Sequence, residues 1–274
     1  MKRDRWEFGF WNNPSGKPQA NQRGVLDWKD NQMKIITVTS QKGGSGKTTL
    51  SGHLAVEAER AGAGPVVLID ADPQGSLSDW WNEREGDTPA FAQINANRIA
   101  HDLEELREQG FEYAIIDTPP AIVTAIRTII RASDLVVIPT RPSPHDLRAA
   151  SATVELAENA DKPLCFVVNG ATPRARLTSE AAIALSQHGR VAPVTVHNRT
   201  DFASSMIDGR TVMELNPTGK SSREIQGLWM YVQALADRTV SKTMLTGLTP
   251  AAHAPQKPKA FGRRGITVDQ FVNH

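Results

Sequence analysis

A chain of 274 residues, 39% of them hydrophobic, has enough apolar side chains for one large α/β domain or two small ones. Its single cysteine, Cys165, excludes an intrachain disulfide framework and a cysteine-cluster metal site supplied by one chain, which fits a reducing cytosol. The formal net charge of +1 leaves any nucleic-acid contact to local clusters of Lys and Arg, and no apolar run is long enough to span a bilayer or to act as a secretion signal.

Residues 1–32 mix charge, Asn, Gly and Pro with scattered aromatics and show neither helical nor strand periodicity, which predicts a flexible extension. Trp6, Phe8 and Trp11 would suit a docking arm; the alternative is a stretch upstream of the true start. From Met33 onward short apolar runs, at 35–39, 66–69, 113–116, 135–138, 164–168 and 193–196, alternate with helix-length segments. Continuous apolar strands separated by helices are what a parallel sheet covered on both faces requires. The expected fold class is therefore α/β, a doubly wound, mostly parallel sheet, over residues 33–240. A first helix at about 46–61 places Leu50, Leu54 and Ala58 on one face, and a late helix near 222–238 does the same with Ile225, Leu228, Trp229, Val232 and Leu235. Residues 241–274, rich in Pro, Lys and Ala, predict a flexible basic tail.

Between the first run and the first helix stand Lys42, Gly43, Gly44, Ser45, Gly46, Lys47, Thr48 and Thr49. A loop at that place must bend sharply for its backbone N–H groups and the helix N-terminus to converge on phosphate oxygens, and glycine permits the bend. Lys47 supplies a point charge for the outer phosphates, and the Thr48 hydroxyl can ligate Mg2+. Glycines, the Lys-Thr ending and the strand-to-helix context together make this a P-loop of the NTPase type.

The loop resembles the deviant Walker A motif of the ParA/MinD superfamily, whose mark is a second lysine at the loop start, here Lys42. The resemblance covers most of residues 33–238 and implies ATP and Mg2+ as cofactors, ATP hydrolysis, and a homodimer formed with ATP in which Lys42 reaches the partner's phosphates. Asp70-Ala71-Asp72 at the second apolar run is similar to the family's switch I segment, which implies Asp72 as the water-positioning carboxylate and Asp70 as its support. Asp117, closing the run at 113–116, is similar to the Walker B aspartate that holds Mg2+ through water. Asn169 resembles the residue of the adenine-side strand that hydrogen-bonds the base edge, although Asn is equally a strand-end turn former.

The ParA-like branch further implies binding to non-specific double-stranded DNA, association with the nucleoid in the cytoplasm, a ParB-like or other adaptor that stimulates hydrolysis, and a cargo that is a plasmid, a chromosome or a protein assembly. Arg199, Arg210, Lys220 and Arg223 are the candidate DNA contacts, in a carboxy-terminal third that also holds Arg174, Arg176 and the tail cations Lys257, Lys259, Arg263 and Arg264. Trp80 and Trp81 suit core packing, or an adaptor or dimer surface. His53 and His101, in helical contexts, lack a Cys or carboxylate at ligand spacing, so no zinc site is expected. Two other readings share the scaffold: a P-loop metabolic ligase or kinase of the dethiobiotin synthetase type, and a MinD-like membrane-associated regulator. The first lacks an additional acid/base constellation and the second a strongly amphipathic C-terminal helix, so no stable membrane association is expected.

Overall fold

In the computed structural model, which describes residues 33–120 and 123–246, the apolar runs become strands of one sheet. The strands are β1 (Lys34–Val38), β2 (Val66–Asp70), β3 (Ala90–Gln93), β4 (Tyr113–Asp117), β5 (Leu135–Thr140), β6 (Leu164–Ala171), β7 (Arg190–Val191) and β8 (Val196–His197). Their order is β3-β2-β4-β1-β5-β6-β7 with β8 beside β6, and all pairings among the described residues are parallel. Parallel neighbours need crossovers, supplied by α1 (Lys47–Arg60), α2 (Ser76–Glu83), α3 (Ile99–Glu108), α4 (Val123–Ala132), α5 (Pro144–Asn159) and α6 (Arg176–Ser186), and the chain closes with α7 (Thr200–Ser205), α8 (Val212–Leu215) and α9 (Lys220–Thr246).

Alternation within each strand divides the core between two layers. Ile36, Val38, Leu68, Ile115 and Val137 pack with Leu50, Leu54, Trp80, Leu228 and Trp229 on one face. On the other face Val67, Ile69 and Ile116 meet Ile99 and Leu103, while Val136, Ile138 and Phe166 meet Leu147 and Val154. Both faces of the central strands are thus dry; β2 and β4 are buried at every residue. Each fully buried Leu or Ile in this set contributes about 1.5–3 kcal/mol relative to exposure. The doubly wound reading holds, and Trp80 and Trp81 belong to the core, 4% and 8% exposed.

Four expectations change. The strand Ala90–Gln93 has no counterpart among the apolar runs, because it sits at the sheet edge with half-exposed residues and needs no continuous apolar sequence. The run at 193–196 is reduced to the two-residue β8, since Pro193 has no N–H to offer a ladder. Helix α9 continues to Thr246, past the boundary expected at 240. His101 does have carboxylates at ligand spacing: Asp102 and Glu105 bring their oxygens within 4.8 Å of one another and of the imidazole, with Arg98 3.4 Å from Asp102. The residues of the expected extensions, 1–32 and 247–274, lie outside the described part.

Candidate functional site

Register brings the acidic strand ends to the loop. Asp117 of β4 lies opposite Val38 at the end of β1 and opposite Asp70 at the end of β2, so the residues that follow all three strands leave the sheet in one row. The chain then turns through Gly44 and Gly46, at φ 72° and 90°, conformations that L side chains rarely adopt, into α1. At Gly46 a Cβ would also meet the Asn169 amide nitrogen at 2.3 Å. Helix α1 has no side-chain cap and no acidic residue in its first turn, which leaves its N-terminal N–H groups and its dipole for an external anion. The Ser45 hydroxyl is buried without a hydrogen-bond partner in the same loop. These features fit a bound phosphate chain.

Lys47 is 8% exposed. Burial lowers its pKa, against the pull of Asp117 and Asp72 in the opposite direction, so its charge already has carboxylates to answer it. Thr48 and Thr49 are half-buried on the first turn, whereas Lys42, Gly43 and Gly44 stand exposed at the rim. Among the described residues Lys42 makes one hydrogen bond, from its backbone N–H to the Ser40 hydroxyl at 3.3 Å.

Asp117 accepts a hydrogen bond from the Thr48 hydroxyl at 2.6 Å and from the Thr118 N–H at 3.1 Å. Burial pushes its pKa up to about 7; Thr48 and Lys47 pull it down, and Asp70 and Asp72 raise it further. A desolvated carboxylate beside two others is a site short of positive charge. Together with the Thr48 hydroxyl it fits a hard divalent cation taking oxygen ligands. The two expected metal residues, Thr48 and Asp117, are thereby brought into contact. Asp70 is differently employed: its carboxylate accepts from the Asp72 N–H at 3.0 Å and from the Ser78 N–H and hydroxyl at 2.9 and 2.7 Å, tying the switch segment to the first turn of α2. Asp72, half-exposed, has a carboxylate that among the described residues accepts one hydrogen bond, from the Gln74 N–H at 3.0 Å.

Asn169, on β6, donates to the Ser45 carbonyl at 2.6 Å. Its amide nitrogen therefore braces the loop. Two more residues complete the surroundings: Arg141, which the sequence reading passed over, and His53, which it weighed only as a metal ligand. Arg141, directly after β5, lays its side chain against Gly170 and extends to Gly44. His53, fully buried on α1, bonds the Thr49 carbonyl at 2.7 Å and accepts from the Val212 N–H at 3.2 Å, joining the loop's helix to the carboxy-terminal segment.

The candidate DNA contacts do not form one uniform set. Arg199 is 22% exposed and is held by Glu224, with Nη1 2.6 and 2.7 Å from its two oxygens. Arg210 is exposed and paired with Asp208. Lys220 and Arg223, both exposed on the first turn of α9, have no side-chain partner among the described residues. No helix among the described residues is long and apolar enough to cross a membrane.

Comparison with known proteins agrees with this geometry. The family model of the VirC1 protein matches residues 33–246. The maintenance of carboxysome distribution protein A of Halothiobacillus neapolitanus is 29% identical over 203 residues, covering 71% of this chain and 93% of the relative. Protein virC1 of Rhizobium rhizogenes is 34% identical over 191 residues, 63% of this chain and 80% of the relative. Among solved structures, the septum site-determining protein MinD from Pyrococcus horikoshii, complexed with Mg-ADP, matches with a TM-score of 0.62 at 16% identity, over 76% of this chain and 99% of that one. At that identity the likeness speaks for the fold.

Proposed function

We propose a function from one premise: the chain belongs to the VirC1 protein family, within the ParA/MinD superfamily of P-loop ATPases. The protein is a dimerising ATP switch that positions a cargo. It binds ATP on residues 42–49, pairs with a second copy while ATP is intact, and resets by hydrolysing it to ADP and phosphate. Lys47 and the α1 N-terminus hold the phosphates. Thr48 and Asp117 would hold Mg2+, which when bound neutralises charge on the β- and γ-phosphate oxygens. Asp72 orients the attacking water, and Asp70 keeps the switch segment against α2 so that Asp72 is presented at the right place.

The ATP dimer binds non-specific double-stranded DNA, through Lys220 and Arg223 first and through Arg210 and Arg199 in so far as their carboxylate partners release them. That places it in the cytoplasm on the nucleoid, with a ParB-like or other adaptor stimulating hydrolysis. The relative named for carboxysome distribution supports a protein assembly as cargo, and the relative named as the chromosome-partitioning ATPase Soj supports a chromosome.

One observation carries this reading. Lys42 is exposed at the loop rim with no side-chain partner among the described residues, while Lys47 already occupies the cationic position within the loop. A second ammonium there has no task inside one subunit; across a dimer face it meets the partner's phosphates where water is excluded and a charge-assisted hydrogen bond is strongest. Lys42→Ala should keep appreciable ATP affinity and lose ATP-driven dimerisation, DNA binding and stimulated hydrolysis together. Sedimentation with a non-hydrolysable ATP analogue reads the first of these. A variant that dimerises like the parent would remove the ground for the switch and return the P-loop to a metabolic role.

A further inference from the structure

We infer that Arg141 is a further phosphate-binding residue, closing the nucleotide's diphosphate portion from the side of the loop opposite to Asp117, within the same subunit. The inference rests on the reading of residues 42–49 as a nucleotide site. In the sheet order β4 and β5 flank β1 on either side, so the carboxylate ending β4 and the guanidinium following β5 approach the loop after β1 from opposite directions. A methyl group built on Gly44 would lie 3.8 Å from Arg141 Nη2, so the guanidinium already stands at contact range from the loop.

Its stem is held there. A methyl group built on Gly170 would lie 3.6 Å from Arg141 Cγ and 3.6 Å from Nε, and Gly170, at φ 65°, follows the Asn169 that braces the loop through Ser45. The bare backbone at Gly170 thus supplies a bed for the arginine, and the same strand end fixes both the loop and the cation above it. Arg141 is exposed and has no carboxylate or carbonyl partner among the described residues. A cation kept beside an anion-binding loop, with no protein anion to answer it, is matched by phosphate oxygens. Guanidinium suits them better than ammonium because its planar fork can donate two parallel hydrogen bonds.

The test uses the full chain and two probes, Mg-ADP and inorganic pyrophosphate, titrated calorimetrically into the parent, Arg141→Ala, Arg141→Lys and Lys47→Ala. ADP is chosen because it does not call on the ATP-driven dimer. Arg141→Ala should weaken both probes roughly 10- to 100-fold, the range of one charge-assisted hydrogen bond, with an unchanged melting temperature without ligand and only partial recovery in Arg141→Lys. Equal affinity of Arg141→Ala and parent for Mg-ADP would overturn the inference. So would a loss for Mg-ADP with none for pyrophosphate, which moves the contact to the nucleoside, and so would a loss confined to ATP-driven dimerisation, which moves it to the partner's nucleotide. A parent that binds neither probe would instead fail the nucleotide reading itself, and Lys47→Ala shows that a loss of phosphate binding is measurable.

Discussion

His53 and Asp117 show how burial sets a side chain's protonation in opposite directions. For the imidazole, desolvation outweighs the hydrogen bond to Thr49 and lowers the pKa from 6.5 to about 4. The fold therefore favours the neutral ring; the unfolded chain takes up the proton first, and this contribution to stability is present above about pH 6.5 and lost as pH falls toward 4. Between pH 7 and pH 5 the loss is roughly 2 kcal/mol. Asp117, raised to about 7, runs the other way, its contribution being lost as pH rises. Comparing the urea midpoints of the parent and His53→Gln at several pH values cancels the Asp117 part. The gap should shrink on acidification, and a gap independent of pH would show that the ring is not neutral by necessity. At the switch, Asp72→Ala removes a half-exposed carboxylate with one backbone partner. It should bind ATP with near-parent affinity and dimerise, while turnover falls on the order of 10²-fold or more, as for loss of a water-positioning group. Parent-like turnover would move that role elsewhere. The loop itself was legible because Lys42 to Thr48 are contiguous. The setting of Arg141 against Gly44 and Gly170 and the bond of His53 to Val212 were not, since those neighbours lie far along the chain and a lone Arg or His carries no local signature.

Helix α2 is tied to the carboxy-terminal segment more tightly than its eight residues would suggest. Arg84, at its end, donates to the Thr88 carbonyl and the Gly209 carbonyl at 2.9 Å each and reaches both oxygens of Glu214, at 2.9 and 2.7 Å. Trp80 Nε1 donates to the Arg210 carbonyl at 3.3 Å. Glu214 in turn forms the capping box of α8 with Thr211. The approach leaves no room for a side chain: a Cβ on Gly209, at φ 74°, would fall 2.3 Å from Arg84 Cα. Gly209→Ala should thus cost roughly 2 to 4 kcal/mol, overpacking added to left-handed strain, measured by chemical denaturation. A cost below about 0.5 kcal/mol, the usual scale of a surface change, would mean that the segment yields. None of this clamp was legible beforehand, because Arg84 and Glu214 are 130 positions apart. The apolar strands were legible because a sheet covered on both faces demands unbroken Val, Ile and Leu, and the short edge strand at Ala90–Gln93 was not because it demands nothing of the kind.

At the scale of the whole molecule the question is how a chain with a net charge of +1 would hold DNA. Of the four cations first considered, Arg199 is neutralised by Glu224 and Arg210 by Asp208, leaving Lys220 and Arg223, on one turn of α9, without a side-chain partner among the described residues. Two phosphate contacts give weak, readily displaced binding, because each released counterion contributes only about 0.9 to the slope of log affinity against log salt. Pairing two subunits doubles the contacts, which is the physical reason for the proposed track to require ATP. Replacing both Lys220 and Arg223 by Ala removes four contacts from a dimer and should flatten that slope by about 3.6, uniformly across sequences, while ATP-driven dimerisation is retained. Arg199→Ala should leave the slope near its parent value. Filter binding to unrelated duplexes over a salt series, with ATP analogue and with ADP, gives the slopes, and sedimentation with the ATP analogue gives the dimerisation. A slope unchanged in the double variant would place the DNA contacts elsewhere, and equal binding with ADP would break the link between dimer and track, even if the nucleotide site behaves as proposed.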